Sequence, residues 1–179
     1  MASVIVEPLG RHHDRAAFDC GETRVDNFIR MTARKHAAED LAVVRVAAVS
    51  GTNVVIGYHS LGAHSLSGDG LPVTISPKGR PFPGIGVFYL GFIGVHRTMQ
   101  GKGIGRLLLR DAMRQSVAAS RYGGIAFLVL DAVDDERAGF YRHLGFQSLP
   151  SQPLRMAIPT EIMRRAVAAI PQSIPSEML

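Results

Sequence analysis

Three glycines within five residues, in the segment QGKGIG (100–105), constrain the fold and chemistry of this chain more than any other feature. An apolar run, VFYLGFIGV (87–95), leads into the segment, and a helical pattern over 104–120 follows it. The glycines leave backbone N–H groups uncovered by side chains. Because such a turn at a helix N-terminus binds anionic phosphate groups, we predict a phosphate-binding turn between a strand and a helix.

The spacing of the glycines excludes two nucleotide-binding motifs. A dinucleotide fingerprint would need a third glycine where Arg106 stands, and a Walker A loop would need Ser or Thr after Lys102, where the chain has Gly103. A purely structural connection is the remaining alternative. It is disfavoured because three glycines in five residues carry a large cost in chain entropy.

Length and composition predict one globular domain. The chain has 179 residues, of which 46% are hydrophobic and 20% charged. We expect a single domain over residues 1–170 and a flexible tail over 171–179. The sequence has one cysteine, no signal-peptide pattern and no apolar run of the roughly 20 residues that a membrane span needs. These features predict a cytoplasmic protein without membrane association.

The net charge of +5 is concentrated around the glycine turn. Residues 78–121 carry eight basic residues and one acidic residue, a local charge of +7, while the rest of the chain sums to −2. A basic field of this kind suits a phosphate-rich ligand or a nucleic acid.

The hydrophobic periodicity predicts a mixed α/β domain in the order β-α-β-β-β-α-β-α-β, followed by a terminal helix. The predicted strands are 4–9, 42–50, 54–66, 87–95, 125–133 and 154–159, and the predicted helices are 24–39, 104–120, 135–146 and 161–170. The strands 42–50 and 54–66 form a hairpin in this interpretation. Residues 67–86, with five glycines and four prolines, are predicted to be an irregular loop.

Two segments resemble the GNAT acetyltransferase superfamily. Gln100-x-x-Gly103-x-Gly105 is similar to its cofactor signature, and AGFYRHLGF (138–146) is similar to the segment that ends many of its domains. Further blocks, among them HDRAAFDCGETRVDNFIRMTARKHAAED and LRMAIP, extend the resemblance over roughly residues 4–160. Together they resemble the GNAT toxins of bacterial type II toxin–antitoxin systems.

The resemblance implies the GNAT fold, a central mixed sheet flanked by helices, with acetyl-CoA as cosubstrate and no metal. The turn amides would hold the pyrophosphate, and the preceding strand would pair with the pantetheine arm. The implied cofactor-binding residues are Ile93, Gly94, Val95, Gln100, Gly101, Lys102, Gly103, Ile104, Gly105 and Arg106. Tyr141 would be the catalytic acid that protonates the departing thiolate; the alternative is that Tyr141, beside Phe140, is a core aromatic residue.

The resemblance also implies a substrate and partners. Such toxins acetylate the α-amino group of aminoacyl-tRNA and so block translation. A ribbon-helix-helix antitoxin neutralises them, and the pair represses its own operon, so that operator DNA is bound only through the antitoxin; a homodimer is also implied.

The acceptor amine needs little help from the enzyme to become reactive. Because the reference pKa of an α-amino group is about 7.7–8.0, part of the amine is neutral near pH 7 and no strong enzymic base is required. Candidate tRNA-binding residues are Arg80, Arg97, Arg110 and Arg114, the last two on one face of the helix with Arg106.

Several alternatives stay open at this point. The acceptor could be a protein or a small amine, or the domain could bind CoA only as a ligand for partner recognition. The arginines could be an unoccupied solvated surface. Phe92 and His59 stand where these toxins often have Arg and Tyr, and His59 could be structural, pH-responsive or in contact with substrate. Cys20 is interpreted as a packing residue at a helix start, and the terminal helix could dock internally or on a partner.

Overall fold

The computed structural model describes residues 3–67, 70–78 and 84–168, together with the backbone of residues 174–175. It divides into two compact units. The first comprises Met1–Gly62, Gly91–Ala112 and Ile170–Leu179, and the second comprises Ala63–Leu90 and Met113–Ala169. Each unit is described by itself below.

In chain order the elements are β1 (Ser3–Pro8), α1 (Thr23–Asn27), a π-helical turn (Phe28–Thr32), α2 (Ala33–Ala38), β2 (Val43–Val49), β3 (Val55–Leu66), β4 (Ile85–Val95), a 3-10 turn (Arg97–Met99), α3 (Ile104–Gly123), β5 (Phe127–Asp131), α4 (Asp135–His143), β6 (Gln147–Leu149), β7 (Gln152–Pro159), α5 (Thr160–Ala168) and β8 (Ile174–Pro175). The mixed α/β class predicted from periodicity is confirmed.

The first unit is built on an antiparallel meander. β1 pairs with β2, β2 pairs with β3, and the short β8 pairs with the other edge of β1. Two apolar layers cover these strands. In one, Phe28 and Ile29 pack with strand residues such as Tyr58, whose hydroxyl donates a hydrogen bond to the Val25 carbonyl at 2.6 Å. In the other, the first turns of α3 pack on β1, β2 and β3 through Ile104, Leu107 and Leu108.

The second unit contains the parallel pair. β4 and β5 pair in parallel from Val87↔Phe127 to Leu90↔Leu130, and β7 joins β5 and β6 antiparallel to each. Residues 127–130 are all buried, as expected for a strand that is covered on both faces.

Several elements differ from the sequence predictions, most by a few residues at their ends. β4 begins at Ile85, because that side chain is buried with Val87 in the core of the second unit, so residues 85–86 are strand rather than loop. The predicted helix 24–39 runs as α1, a π turn and α2. The three-residue strand β6 was missed because it is too short to show a period.

At the C-terminus, the predicted terminal helix is observed as α5, and residues 169–170 lie outside the described residues. In the predicted flexible tail, Ile174 and Pro175 pair with Val4 and Ser3; the rest of the tail lies outside the described residues. A single domain over residues 1–170 stays a prediction. No helix among the described residues is long and apolar enough to cross a membrane.

Candidate active site

The glycine turn joins the end of β4 to the N-terminus of α3, a helix of 20 residues. Gly101 and Gly103 have φ values of +78° and +80°, a region that L side chains rarely adopt, so the turn itself requires glycine at these two positions. A Cβ added at Gly101 would meet nothing within 4 Å. The turn is therefore open on the side where an anion would approach the helix N-terminus, and the first turn of α3 holds no acidic residue to compete with it.

Gly105 differs from the other two glycines. It has no positive φ, and a Cβ there would make only an ordinary contact with Val95 at 3.9 Å. Neither the backbone nor the packing of the protein demands glycine at this position. A bare first helical turn is instead suited to a ligand that approaches the backbone closely.

The side chain of Gln100 braces the turn. Its Nε2 donates hydrogen bonds to the carbonyl oxygens of Cys20, at 2.9 Å, and Val95, at 3.0 Å. Gln100 therefore ties the start of the turn to the end of β4 and to the loop before α1. Gly94, just upstream, is required by packing, because a Cβ there would lie 2.8 Å from Val25.

The end of β4 has no registered pair with β5, although the Val95 carbonyl accepts a hydrogen bond from Gln100. The parallel ladder between β4 and β5 ends at Leu90↔Leu130, whereas β4 continues to Val95. Residues 91–95, which include the predicted cofactor contacts Ile93, Gly94 and Val95, thus lie beyond the last registered pair of this ladder. Free N–H and C=O groups on a strand are what an extended amide chain such as pantetheine can pair with.

Tyr141 lies in α4, in the second unit. Asp134 caps the start of the helix, because its carboxylate accepts the N–H of Arg137 at 2.7 Å, and the helix is followed by a turn through Gly145, at φ +96°. The Tyr141 ring contacts Phe146 edge-on, with centroids 5.7 Å apart. Burial raises the pKa of the Tyr141 phenol, and the nearby Arg137 only partly offsets this. Within the described ranges its hydroxyl has no hydrogen-bond partner, so it is a protonated donor that is free for a ligand.

A sequence profile of the acetyltransferase (GNAT) domain matches residues 38–148, which include the strand, the turn and α4. The chain belongs to the GNAT acetyltransferase family. The matched segment includes the open turn at the start of α3, whose residues Gln100-x-x-Gly103-x-Gly105 resemble the cofactor signature of this family.

Two relatives of this GNAT chain are named as a toxin or a probable toxin. A probable toxin TacT of Sinorhizobium fredii is 38% identical over 172 residues, covering 91% of this chain and 94% of the relative. A tRNA-acetylating toxin of Mycobacterium tuberculosis is 29% identical over 157 residues, with 88% and 90% coverage. The structure of AtaT complexed with acetyl-methionyl-tRNAfMet is 25% identical, with a TM-score of 0.83 and coverage of 91% and 98%. AtaT has also been solved as AtaTR bound with acetyl-CoA and, as a mutant toxin, bound to the C-terminus of the antitoxin AtaR.

The predicted tRNA-binding arginines of this GNAT chain are distributed over several elements. Arg97 lies in the 3-10 turn and pairs with Asp19 at 3.0 Å. Arg110 and Arg114 lie in α3, the former in the first unit and the latter in the second. Arg80 lies outside the described residues. The predicted cofactor residues from Ile93 to Arg106 all belong to the first unit, where they form one continuous segment.

His59 is a core residue of the GNAT fold in this chain. Its side chain is fully buried, and its Nε2 lies 2.8 Å from Oδ2 of Asp111 in α3, which also accepts Nε–H of Arg45 at 2.6 Å. The Nδ1 atom of His59 has no partner among the described residues. Of the three interpretations of His59, the structure therefore favours the structural one.

Phe92 and Cys20 are both packing residues. The Phe92 ring stacks on Phe28 with centroids 4.1 Å apart, and the Arg24 guanidinium lies over it at 5.5 Å. Burial and the neighbouring Asp26 raise the pKa of the Cys20 thiol to about 11. A nucleophilic cysteine needs a lowered thiol pKa, so Cys20 is not built for that role.

The sequence did not predict a second polar cluster, which lies at the end of β5. In the second unit, Asp131 accepts two hydrogen bonds from Arg155, at 2.7 and 2.9 Å, and a third from the Tyr89 hydroxyl at 2.7 Å. The three residues come from β5, β7 and β4. The available signal was a carboxylate at the end of an otherwise apolar strand, which by itself does not identify its partners.

Metal-ligand side chains converge at one place in the described part of the chain, where ligand atoms of Glu7, His12 and His13 lie within 4.8 Å of one another. Nδ1 of His13 accepts the N–H of Gly10 at 2.9 Å, so Nε2 carries the proton and donates it to Glu7 at 3.0 Å. That tautomer leaves no lone pair on Nε2 for a metal. The metal-free reaction stays a prediction.

Proposed function

We propose that this GNAT chain is a toxin that transfers acetyl from acetyl-CoA to the α-amino group of an aminoacyl-tRNA and thereby blocks translation. The observation that carries the proposal is the open glycine turn at the N-terminus of α3, in a chain that aligns almost end to end with a tRNA-acetylating toxin and with a probable toxin TacT. The AtaT complexes with acetyl-CoA and with acetyl-methionyl-tRNAfMet support both substrates.

The pyrophosphate of acetyl-CoA would bind the backbone amides from Gly101 to Gly105, with Lys102 and Arg106 adding positive charge. Gln100 would act indirectly, since its amide already donates to two backbone carbonyls and so fixes the shape of the turn. Backbone groups of Ile93, Gly94 and Val95 would pair with the pantetheine arm. The observations that favour this assignment are the positive φ angles, the bare Gly105 and the end of the ladder at Leu90.

The transfer step needs one acid from the protein. The neutral α-amino nitrogen attacks the thioester carbonyl carbon, a C–N bond forms and the C–S bond breaks, and the proton on the Tyr141 hydroxyl goes to the departing thiolate sulfur. The proton that the nitrogen loses as it becomes an amide returns to the Tyr141 phenolate directly or through water. A backbone N–H of β4 would polarise the thioester carbonyl. Partial burial raises the pKa of the Tyr141 phenol, so the phenol is protonated at neutral pH and has a proton to donate.

An antitoxin is the proposed partner. AtaT binds the C-terminus of its antitoxin AtaR, and the family resemblance implies a ribbon-helix-helix protein that represses the operon together with the toxin. Contact with operator DNA only through the antitoxin, a homodimer and a cytoplasmic location stay predictions.

The rival function is acetylation of a protein or a small amine. An enzyme for small cationic amines would need carboxylates free to bind the ammonium group. The structure gives Asp131, the carboxylate at the end of β5, to Arg155 and Tyr89 instead. Asp131 is therefore not free to bind an ammonium group.

The deciding experiment incubates the purified protein with radiolabelled acetyl-CoA and three acceptors: total aminoacyl-tRNA, the same tRNA after deacylation, and a mixture of polyamines and N-terminal peptides. We expect label in the charged tRNA alone, and base hydrolysis should release it as N-acetyl amino acid. Label in the peptides or polyamines, with none in charged tRNA, would replace the proposal by its rival.

A further inference from the structure

The C-terminal half of α3 carries an open groove that no step of the proposed reaction uses. The groove has a volume of about 280 Å³ and is lined by Arg114, Val117, Ala118, Arg121 and Tyr122, all within the second unit. The Tyr122 side chain is unusually accessible for an aromatic residue, with a relative exposure of 93%. A tyrosine that contributes nothing to the core but stands beside two arginines is typical of a binding surface.

The charge of the groove points to an anionic partner. Arg114 and Arg121 are seven residues apart, so on a helix they lie within about 20° of one another and about 10 Å apart along the axis. No carboxylate lines the groove, and neither arginine has an ion-pair partner in the part of the chain that the structure describes. Other surface arginines do have such partners, as Arg165 does with Glu161.

The chemistry of the five residues fits nucleic acid better than an acidic peptide. Two guanidinium groups on one helix face can contact successive phosphates of a strand. An exposed aromatic ring beside them can stack on an unpaired base or pack against a ribose, and such stacking is insensitive to base identity. Val117 and Ala118 are the only aliphatic residues in the lining, and they are too small to be the apolar anchors on which protein interfaces depend.

We infer that this groove is a contact site for the RNA substrate, in which Arg114 and Arg121 bind phosphates and Tyr122 stacks on a base or ribose. The inference rests on the proposed function and deepens it. It assigns RNA binding to residues that neither transfer acetyl nor hold the cofactor. Tyr122 and Arg121 are thus additional to the arginines expected from the sequence.

The test measures binding of deacylated tRNA by fluorescence anisotropy at several salt concentrations, together with acetylation of charged tRNA. Tyr122→Ala should raise Kd about tenfold, whereas Tyr122→Phe, which keeps the ring, should stay within about twofold of the unsubstituted protein. Arg114→Gln with Arg121→Gln should reduce the slope of log K against log salt by about 1.5. Arg165→Gln is the matched control and should change neither quantity. Equal unfolding midpoints show that the variants are folded.

The outcomes separate the groove from the reaction. If the unsubstituted protein acetylates charged tRNA but Tyr122→Ala and the double variant bind tRNA as it does, the groove inference is wrong and the proposed function stands. If the substitutions leave tRNA binding intact but dissociate a homodimer or an antitoxin complex, the groove is a protein interface and the inference is again wrong. If the unsubstituted protein acetylates no charged tRNA, the proposed function itself fails.

Discussion

His59 and Asp111 form a buried pair that joins the centre of β3 to α3, with the imidazole Nε2 2.8 Å from the carboxylate Oδ2. The same oxygen accepts Nε–H of Arg45, whose side chain is 16% exposed. Two residues before His59, a Cβ on Gly57 would lie 2.9 Å from Leu108, so strand and helix also touch closely there. The helix that begins at the glycine turn is therefore held by a polar contact and a tight apolar contact on one strand.

Asp111→Asn should destabilise the protein strongly. The substitution removes the charge that compensates Arg45, and breaking a buried ion pair by removing one partner costs about 3 kcal/mol or more. Denaturant unfolding at pH 7 measures this loss. Asp131→Asn is the control, because its pair with Arg155 is 30–40% exposed and should contribute about 1 kcal/mol or less. Equal losses for the two variants would contradict a buried, stabilising role for Asp111.

The same pair predicts how stability depends on pH. Burial alone would raise the pKa of Asp111, but hydrogen bonds from His59 and Arg45 outweigh it and hold that pKa below its usual value. Because the folded-state pKa is the lower one, the stabilisation is complete above the unfolded value of about 3.9 and is lost as the pH falls through the folded value. The unfolding free energy of Asp111→Asn should therefore fall less steeply below about pH 4 than that of the unsubstituted protein, and identical acid limbs would exclude this explanation.

Cys20 should react slowly with alkylating agents. Burial, with Asp26 beside it, raises the pKa of its thiol to about 11, so at pH 7.5 the thiolate fraction is about 300-fold smaller than for a thiol at the ordinary value of about 8.5. The rate of reaction with iodoacetamide should rise about tenfold per pH unit up to about pH 10. The unfolded protein, as the control, should react like a free cysteine. Fast alkylation of the folded protein at pH 7.5, or loss of acetyl transfer in Cys20→Ser, would contradict the packing role.

The predictable features are those with a local signal. The strand before the turn, the turn itself and α3 follow from apolar runs and glycines that are adjacent in sequence. The position of α4 and of the glycine turn after it follows from the segment AGFYRHLGF (138–146). Asp111 on the inward side of α3 was a visible anomaly in an apolar face, but its partner His59 is 52 residues away. No periodicity connects them, because the contact depends on how α3 docks on β3.

The unpredicted features depend on tertiary contacts or on very short segments. Tyr89, Asp131 and Arg155 come from three strands, and only the sheet order brings them together. The π turn interrupts a pattern that reads as one amphipathic helix. The N–H of Ala33 bonds to the Phe28 carbonyl, five residues back, and Ala33 rather than Thr32 is the buried residue. The distinction between Gly105 and the two glycines before it also needed backbone angles, because all three look alike in the sequence.

Gly105→Ala should separate cofactor binding from stability. The position has no positive φ and room for a Cβ, so alanine in a helix should stabilise the protein by up to about 1 kcal/mol. The added methyl group would nevertheless cover the turn, and we expect the KM for acetyl-CoA to rise at least about fivefold. Gly123→Ala, at the other end of α3 with nothing within 4 Å, is the control for helix propensity and should leave KM unchanged. A Gly105→Ala variant with unchanged KM would show that no ligand approaches this turn.

Tyr141→Phe should abolish most of the acetyl transfer without affecting the fold. The phenol hydroxyl makes no hydrogen bond to the described residues, so its removal leaves the ring packing with Phe140 and Phe146 intact. Loss of a general acid costs about 10² to 10⁴ in kcat. Kinetics with charged tRNA, beside an unfolding curve, measure both effects. Tyr122→Phe, which removes a hydroxyl from an exposed ring, should keep its full kcat. In the unsubstituted protein the acetyl-transfer rate should rise with pH as the acceptor amine loses its proton. The rate should not fall before about pH 10, because burial raises the pKa of Tyr141 above its ordinary value. A Tyr141→Phe variant with near-normal kcat would remove the acid role and leave the departing thiolate to be protonated by solvent.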